Sequence, residues 1–506
     1  MTTTDKARGS LFGGAIGDAL GYEVEFSSLN SILARYGQPG ITDYALDSKG
    51  VARFSDDTQM TLFTAEGILS AYQANPEATP DEIISSIKEA YLAWFDTQTA
   101  FQLPLPYSWL THVRDLWARR APGNTCLSAL SQLKDGYEVK NTSKGCGGVM
   151  RIAPIGIFYA AHAAQCLKHN SQCIMDFVAR VAAGAANITH KHAMSDYSSA
   201  FVALLVYRCI LEKDTVTRSR LRAITEECLP IAIGVTHSDH NSKRFEELIR
   251  EAMKLAESDT DDFEAIRCLG EGWIAEETAA IALFSVMRYI DDFERCVVCA
   301  VNHDGDSDST GAVAGNIIGA ILGYDAIPEK YKKNLELADV IVSIADDLAG
   351  VAGPAQMSRR YADHRPYGID EKLNFISGMK FTPENITELG PDDIFVFGSN
   401  LAGHHAGGAA RVARRRFGAI EGQGVGMQGQ CYAIPTMQGG VETIKPYVDD
   451  FIEVASNCDQ NTFYVTRIGC GIAGFTDEEI APLFREALKL YNVRLPESFV
   501  RILLNQ

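Results

Sequence analysis

Small residues recur with a helical period in the first two thirds of the chain. Two series of glycines are spaced four residues apart: Gly13, Gly17 and Gly21, and then Gly311, Gly315, Gly319 and Gly323. Residues at this spacing lie on one side of a helix, so each series predicts a helix with a smooth strip that another backbone can approach closely. Such helices are expected to pack deep in a core. The apolar positions between Leu62 and Tyr72 also follow a helical period.

The last quarter of the chain changes to strand patterns followed by glycine-rich loops. Residues 393–417 are typical of a buried strand, a flexible glycine turn and then a helix. Residues 462–490 repeat this order, with a helix expected from Thr476 to about Leu490. A strand, a glycine loop and a helix in this order favour phosphate binding, although many α/β folds share the arrangement.

The domain organisation follows from length and from these changes of pattern. A chain of 506 residues with 46% hydrophobic content is too long for one ordinary domain. Residues 350–390 lack a sustained apolar period and look like a connector. We therefore predict a multidomain protein with a first domain at 1–355, a connector at 356–390 and an α/β domain at 391–506.

Charge and composition exclude several classes of function. The net charge of −19 argues against a generic nucleic-acid binder, because phosphate contact needs a basic surface. No run of eighteen apolar residues predicts a membrane helix, and Met1–Asp5 lacks the pattern of a signal segment. The 12 cysteines are scattered, which favours reduced core thiols. We expect a cytoplasmic protein that does not use a membrane partner.

Two acidic clusters carry the candidate chemistry: Ser55-Asp56-Asp57-Thr58 and Asp304-Gly305-Asp306-Ser307-Asp308-Ser309. Two carboxylates about 4 Å apart repel by roughly 1 kcal/mol in water and roughly 4 kcal/mol at an effective dielectric near 20. Four of them brought together therefore either take up protons or bind a cation. An all-oxygen set of Asp and Ser/Thr favours Mg²⁺, Mn²⁺ or Ca²⁺ over zinc. Each cluster alone is also compatible with an ordinary helix N-cap or a glycine-rich turn.

Five ordered blocks in residues 8–350 resemble the ADP-ribosylglycohydrolase family. They are Gly13–Gly21 followed by Glu25-Phe26, then Phe54–Met60, Gly145–Pro154, Thr189–His192 and Asn302–Gly315. The resemblance implies a compact, nearly all-α domain with two Mg²⁺ ions at the base of a cleft, with Mn²⁺ as a substitute. By position, the metal ligands it implies are Ser55, Asp56, Asp57, Asp306, Asp308 and Ser309. It also implies that a ligand site is lined by Gly147, Gly148, Met150 and His190.

The chemistry of an ADP-ribosyl bond agrees with this resemblance. The bond breaks at the anomeric carbon of the distal ribose, where positive charge develops, and the two vicinal hydroxyls of that ribose suit a metal pair. A carboxylate can then deliver water as a general base. Asp57 and Asp306 are candidates for this role, and Glu25 is a candidate acid–base or gating carboxylate. An alternative for Glu25 is an ordinary surface glutamate.

The C-terminal domain is similar to a macrodomain over about 115 residues. The segment at Asn400 with Gly407 and Gly408 resembles the macrodomain ribose loop. The later glycine-rich turn resembles the diphosphate loop with its following aromatic, and its candidate ligand residues are Gly469, Gly471, Gly474 and Phe475. His404-His405 and the arginines that follow depart from the family pattern. The resemblance implies a module that binds ADP-ribose or a second hydrolase.

The sequence therefore predicts a Mg²⁺-dependent hydrolase that removes ADP-ribose from a modified acceptor, with a protein side chain as the first candidate. A hydrolase of a free ADP-ribose derivative or nucleotide is an alternative. An immunity or sensor protein that holds an ADP-ribosylated partner or a toxin is another. The sequence leaves the acceptor open between arginine, serine, a nucleobase and a small molecule.

Overall fold

The protein is described here from a computed structural model. The structure describes residues 1–99, 108–163, 171–236, 238–361, 381–458, 460–490 and 492–504. The chain folds into two compact units. The first comprises Met1–Gln98 and Ala118–Asp363, and the second comprises Thr99–Trp117 and His364–Gln506.

The described part of the first unit is built from helices joined by short loops. Its α-helices are α1 (Thr3–Gly21), α2 (Leu29–Tyr36), α3 (Asp56–Ala74), α4 (Pro80–Thr99), α5 (Asn124–Lys134), α6 (Ala153–Ala161), α7 (Ser171–Asn187), α8 (Ala193–Leu211), α9 (Arg218–Ile233), α10 (Asp239–Ala256), α11 (Asp262–Leu269), α12 (Ala275–Arg288), α13 (Phe293–Val301), α14 (Ser307–Leu322), α15 (Glu329–Lys332), α16 (Ala338–Leu348) and α17 (Pro354–Tyr361). The prediction of a helical N-terminal domain is confirmed.

Helices α1 and α14 pack against each other in antiparallel fashion through their glycine strips. A Cβ atom added at Gly17 would lie 1.9 Å from the carbonyl oxygen of Gly311, and one at Gly13 would lie 2.4 Å from that of Gly315. No side chain fits in these gaps, so the backbones are in direct contact. The pairing of the two predicted strips explains why both stretches are rich in glycine.

Asn316 is the polar residue that interrupts the second glycine strip, and it joins the two helices. Its amide nitrogen donates to the carbonyl oxygen of Ser10 at 2.8 Å, and the Ser10 hydroxyl donates to the carbonyl oxygen of Asn316 at 2.8 Å. A Cβ atom at Gly14 would lie 2.0 Å from that amide nitrogen. Each helix therefore satisfies a buried polar group of the other.

Helix α8 lies at the centre of the first unit, with α6, α7, α9, α12 and α14 packed around it. Among the described residues it is the one helix long and apolar enough to cross a membrane by length and composition, and 89% of it is buried inside the protein. Burial of this kind is typical of a core helix in a helical domain.

Helix α17 continues the first unit beyond the predicted end of the domain at residue 355. The Tyr361 hydroxyl donates to the Asp347 carboxylate at 2.7 Å, and Arg360 pairs with the same group. These contacts anchor α17 to α16 and make it part of the first unit. Of the predicted connector, residues 362–380 lie outside the described residues.

The second unit contains a five-stranded mixed sheet with the strand order β2-β3-β1-β4-β5. Its strands are β1 (Asp393–Ser399), β2 (Gly426–Gln428), β3 (Cys431–Pro435), β4 (Thr462–Val465) and β5 (Val493–Arg494), and its helices are α18 (Gly408–Arg416), α19 (Lys445–Ser456), α20 (Asp477–Ile480) and α21 (Glu497–Leu504). Strand β2 runs antiparallel to β3, and the other neighbouring strands are parallel. A small α/β unit is therefore confirmed.

Both faces of this sheet are covered, as the alternation of side chains along β1 requires. Phe395 and Phe397 pack with Ala413 and Phe417 around α18 on one face. Ile394 and Val396 point to the opposite face, where the larger core of the unit includes Phe451 of α19. The strand, turn and helix expected between 393 and 417 are present with bounds shifted by at most a few residues.

The helix expected from Thr476 to Leu490 is not continuous. It begins as predicted, with Thr476 and Glu479 forming a capping box, but α20 ends at Ile480. The chain continues as two short 3₁₀ segments, Ala481–Phe484 and Ala487–Lys489. Pro482 explains the break, because a proline has no N–H to donate and its ring clashes with the preceding turn.

We predict that Gly17→Ala destabilises the first unit by roughly 1–3 kcal/mol, because the added methyl group must push α1 and α14 apart. Thermal unfolding followed by circular dichroism at 222 nm, where helices dominate the signal, measures the effect. Gly353→Ala is the matched control, since a Cβ atom at Gly353 meets no atom within 4 Å. Equal melting temperatures for the two variants would contradict the proposed role of the glycine contact.

Candidate functional site

The glycine contact brings the C-terminal end of α1 to the N-terminal end of α14. A Cβ atom at Gly21 would lie 2.3 Å from the carbonyl oxygen of Ser307. The segment after α1, which carries Glu25, thus meets the second acidic cluster. Asp18, one turn before the end of α1, reaches the first cluster at the start of α3. Residues from three distant parts of the chain form one buried acidic site.

Asp18 holds the first cluster in place, a role that the sequence did not reveal. Its carboxylate accepts the backbone N–H of Ser55 at 2.8 Å and that of Thr58 at 2.9 Å, and it also accepts the Thr58 hydroxyl. The one sequence signal is an aspartate in the middle of a buried strip of small residues. A charged group in that position needs partners inside the protein.

The two acidic clusters each begin a helix and lie close enough for their charges to act on each other. Ser55 is the N-cap of α3 and accepts the N–H of Asp57 at 3.2 Å. Asp306 is the N-cap of α14 and accepts the N–H of Ser309 at 3.2 Å. Asp308 lies close enough to Ser55 for that hydroxyl to oppose the rise in the Asp308 pKa that burial causes. The N-cap interpretation is therefore correct for Ser55 and Asp306, and the helix N-termini partly stabilise the carboxylates.

The electrostatics of the site disfavour full ionisation. Burial, followed by the charge of Asp308, raises the pKa values of Asp56, Asp57 and Asp306 well above the usual value. The same two causes raise the pKa of Asp18 to about 7 and that of Glu25 to about 10. The group would take up protons unless a cation entered, as the repulsion between carboxylates requires.

The side chains of the acidic site are of the type that binds a hard divalent cation. All the side chains offer oxygen, and two buried carboxylate oxygens, Asp57 Oδ2 and Glu25 Oε2, have no hydrogen-bond partner. Among the described residues, however, no three His, Cys, Asp or Glu side chains are arranged as a ready-made metal-binding group. The predicted set of Ser55, Asp56, Asp57, Asp306, Asp308 and Ser309 is thus gathered at one place without a closed coordination geometry.

The predicted ligand residues of the third and fourth blocks lie side by side. The sulfur of Met150 lies 4.0 Å from the Ser309 hydroxyl, which places this side chain against the acidic site. A Cβ atom at Gly147 would lie 2.9 Å from the His190 ring, and one at Gly148 would lie 2.4 Å from the Ser195 hydroxyl. These glycines allow their loop to pack directly on α8 and on His190.

His190 lies beneath that loop and is only 2% exposed. Its Nδ1 atom lies 2.8 Å from the Thr189 hydroxyl. Burial and the nearby Arg151 guanidinium lower the pKa of His190 to about 3, so the ring is neutral at physiological pH. The structure therefore places His190 as a packed support of the loop rather than on an open surface.

Arg151 is fully buried behind the site and connects several of its elements. Its guanidinium donates to the Thr189 hydroxyl at 2.7 Å and to the sulfur of Met60 at 3.0 Å, and it stacks over the Tyr91 ring at 4.2 Å. No ion pair of Arg151 with a carboxylate occurs among the described residues. The positive charge of Arg151 is therefore stabilised by hydrogen bonds and by the face of the Tyr91 ring instead of by a carboxylate.

In the second unit, the two predicted glycine loops follow neighbouring parallel strands and lie together at the carboxyl edge of the sheet. A Cβ atom at Gly407 would lie 2.8 Å from the Ile472 side chain. Gly471 and Gly474 face open space, and Gly469 and Gly474 have positive φ angles of 73° and 84°. This edge is where α/β sheets with parallel strands bind ligands.

The remaining predicted residues of this edge are placed as follows. The Asn400 amide closes its own loop, because its oxygen accepts the N–H of His404 at 3.1 Å and its nitrogen donates to the His404 carbonyl at 3.0 Å. Gly408 begins α18 with open space around it. The N–H of Phe475 donates to the Gly469 carbonyl at 3.1 Å and closes the second loop.

Comparisons with known proteins agree with the first resemblance. A family model described as ADP-ribosylglycohydrolase matches residues 1–356. An uncharacterized protein of Archaeoglobus fulgidus is 26% identical over 352 residues, covering 68% of this chain and 96% of the relative. The ADP-ribosyl-[dinitrogen reductase] glycohydrolase of Rhodospirillum rubrum is 24% identical over 338 residues, covering 66% and 91%.

A solved structure of an ADP-ribosylglycohydrolase-related protein complex aligns with a TM-score of 0.44 and 22% sequence identity, covering 69% of this chain and 99% of that chain. The family match ends at residue 356, so the likeness of the second unit to a macrodomain stays a prediction.

We predict that His190 makes the first unit sensitive to acid. The unfolded imidazole binds a proton near pH 6.5, whereas the folded one does so only at about 3, so protonation favours the unfolded chain as the pH falls below 6.5. His190→Asn keeps a group near the Thr189 hydroxyl but cannot titrate. From pH 7 to pH 4.5, the wild type should lose about 2 kcal/mol more free energy of unfolding than the variant. Parallel pH profiles in urea unfolding would contradict this prediction.

Proposed function

The chain belongs to the ADP-ribosylglycohydrolase family, and from that premise we propose that its first unit hydrolyses the bond between ADP-ribose and a modified acceptor. The acceptor we propose is a protein side chain. The Rhodospirillum rubrum relative, whose name states that it acts on ADP-ribosyl-dinitrogen reductase, supports a protein acceptor. The reaction adds water to the anomeric carbon of the distal ribose and returns a proton to the acceptor atom.

One observation carries the proposal. The N-termini of α3 and α14 lie side by side, close enough for the charge of Asp308 to act on Asp56 and Asp57, and the site they form contains two buried carboxylate oxygens, Asp57 Oδ2 and Glu25 Oε2, without a hydrogen-bond partner. A binding protein would gain nothing from such costly burial of like charges. An enzyme, in contrast, can use this negative charge to stabilise the positive charge that develops at the anomeric carbon and to activate the attacking water.

We propose that two Mg²⁺ ions, replaceable by Mn²⁺, are held by six residues: Ser55, Asp56, Asp57, Asp306, Asp308 and Ser309. Bound there, they would orient the vicinal hydroxyls of the distal ribose and lower the pKa of a bound water. The two buried carboxylate oxygens without a hydrogen-bond partner, Asp57 Oδ2 and Glu25 Oε2, support this assignment.

The chain's own residues supply orientation and proton transfer. Asp18 fixes the turn from Ser55 to Thr58, so the first-cluster carboxylates keep their direction when substrate enters. Asp57 and Asp306 are proposed to accept the proton of the attacking water. Glu25 Oε2 has no hydrogen-bond partner, so this carboxyl group is available to exchange a proton with the acceptor side of the substrate.

For the second unit we propose binding of ADP-ribose at the carboxyl edge of the sheet. The loop of Gly407 and Gly408 and the loop from Gly469 to Phe475 meet there, and the open space around Gly408, Gly471 and Gly474 lets a diphosphate approach the backbone closely. The ligand would stand near the N-terminus of α18, which favours negative charge. Binding, rather than a second hydrolysis, is the function that these loops support.

We predict that Asp308→Asn abolishes release of ADP-ribose from an ADP-ribosylated protein and weakens Mg²⁺ binding at least tenfold, because one ligand of the shared site is lost. Calorimetric titration with Mg²⁺ and a release assay measure the two effects. Asp304→Asn is the matched control for metal affinity: Asp304 is in the same loop, but it is exposed and accepts the N–H of Leu29. Wild-type Mg²⁺ affinity in Asp308→Asn would remove the metal proposal.

We predict that the full chain binds free ADP-ribose at two sites and that Gly474→Glu leaves one. The new side chain would add bulk, strain a positive φ angle and place a negative charge facing phosphates. The stoichiometry from calorimetry measures this loss. Gln460→Glu adds the same charge to the opposite edge of the sheet, just before β4, and should retain two sites. If Gly474→Glu also retained two binding sites, the assignment of the second unit would be contradicted.

A further inference from the structure

An exposed aromatic pair stands beside the acidic site and has no part in the mechanism above. The rings of Phe26 and Trp273 stack with their centroids 6.0 Å apart and their planes 21° apart. Phe26 is 76% exposed and Trp273 is 38% exposed. Large apolar rings kept together at a surface mark a place where a ligand or partner docks.

The backbone fixes Trp273 next to the second acidic cluster. The N–H of Asp306 donates to the carbonyl oxygen of Glu271 at 2.8 Å, and the N–H of Cys146 donates to the carbonyl oxygen of Trp273 at 3.2 Å. Gly272 between them has a φ of 83°, and a Cβ atom there would lie 2.8 Å from the Thr310 side chain. The loop that carries Trp273 is therefore packed tightly against the start of α14.

Phe26 is held at the same place from the other side. It directly follows Glu25, and the N–H of Leu29 donates to the Asp304 carboxylate at 2.8 Å. The stacked rings thus belong to two segments that both attach to the loop of residues 304–306. In ADP-ribose, a diphosphate and a second ribose separate adenine from the anomeric carbon, so rings this close to the carboxylates stand at the acceptor end of the substrate.

The charges around the pair favour a cation. Glu271 is exposed beside Trp273 and carries a negative charge at the rim of the site. The basic side chains of neighbouring elements are already paired, Lys144 with Glu276 and Arg120 with Glu336. The rim therefore offers aromatic faces together with negative charge, which is the combination that attracts an ammonium or guanidinium group.

We propose that the Phe26–Trp273 pair binds a basic side chain of the acceptor polypeptide next to the modified residue. The enzyme would thereby prefer modification sites flanked by lysine or arginine, whatever the linkage to ADP-ribose. This inference rests on the proposed hydrolysis of an ADP-ribosylated protein. The pair makes its contact outside the bond that breaks, so it acts on recognition of the acceptor rather than on the chemical step.

The test uses two ADP-ribosylated peptides with the same linkage, one with basic and one with neutral neighbours of the modified residue. The full-length wild type should release ADP-ribose from the basic peptide with a kcat/KM about two- to fivefold higher, through a lower KM. Phe26→Ala and Trp273→Ala should remove this preference, Trp273→Phe should keep part of it, and Glu271→Gln should weaken it. Tyr137→Ala, which removes another exposed ring (68% exposed), should retain it.

Three results would overturn the inference. Equal kcat/KM values of the wild type for both peptides would show that the pair does not read the flanking residue, while the hydrolase function would stand. Weaker binding of free ADP-ribose to Trp273→Ala would show that the ring stacks on adenine instead. Absence of release from either peptide by the wild type would remove the hydrolase proposal and this inference together.

Discussion

The direct contact between the backbones of α1 and α14 determines where the chemistry of the first unit is located. The glycine strips allow the two helices to approach without side chains between them, and their antiparallel direction brings the end of α1 to the beginning of α14. Asp18 then binds the turn that starts α3. Any larger residue in the strips would separate the two acidic clusters as well as the helices, so packing and site geometry depend on the same few atoms.

The acidic site shows how a protein tolerates like charges in its interior. The carboxylates are placed in the first turns of α3 and α14, where backbone N–H groups and helix dipoles oppose their charge. Asp18 accepts three hydrogen bonds, from the backbone N–H groups of Ser55 and Thr58 and from the Thr58 hydroxyl. These interactions hold the side chains but leave Asp57 Oδ2 and Glu25 Oε2 unsatisfied. The hydrogen bonds are sufficient for the site to form, but they leave negative charge that is not compensated. Such a site suits the binding of cations and substrate.

Local patterns in the sequence predict much of this arrangement. The glycine spacing indicates both smooth helices, and the strand, loop and helix pattern after residue 390 indicates the α/β unit. The sequence does not show which strip pairs with which, because that choice depends on contacts between distant residues. The role of Asp18 and the stacking of Phe26 on Trp273 were missed for the same reason. The break in the last predicted helix, by contrast, has a local cause that is visible in the sequence, namely Pro482.

The Ser10–Asn316 hydrogen bonds join residues that are 306 positions apart in the chain. A ribosome therefore synthesises almost the whole first unit before α1 can find its partner, and closing so long a loop is slow. Until then α1 exposes a glycine-rich strip that cannot be buried elsewhere, and the acidic residues of its neighbours remain far apart. A chain that ends before α14 contains only one of the two acidic clusters, so the site forms only after α14 has been synthesised and has packed against α1.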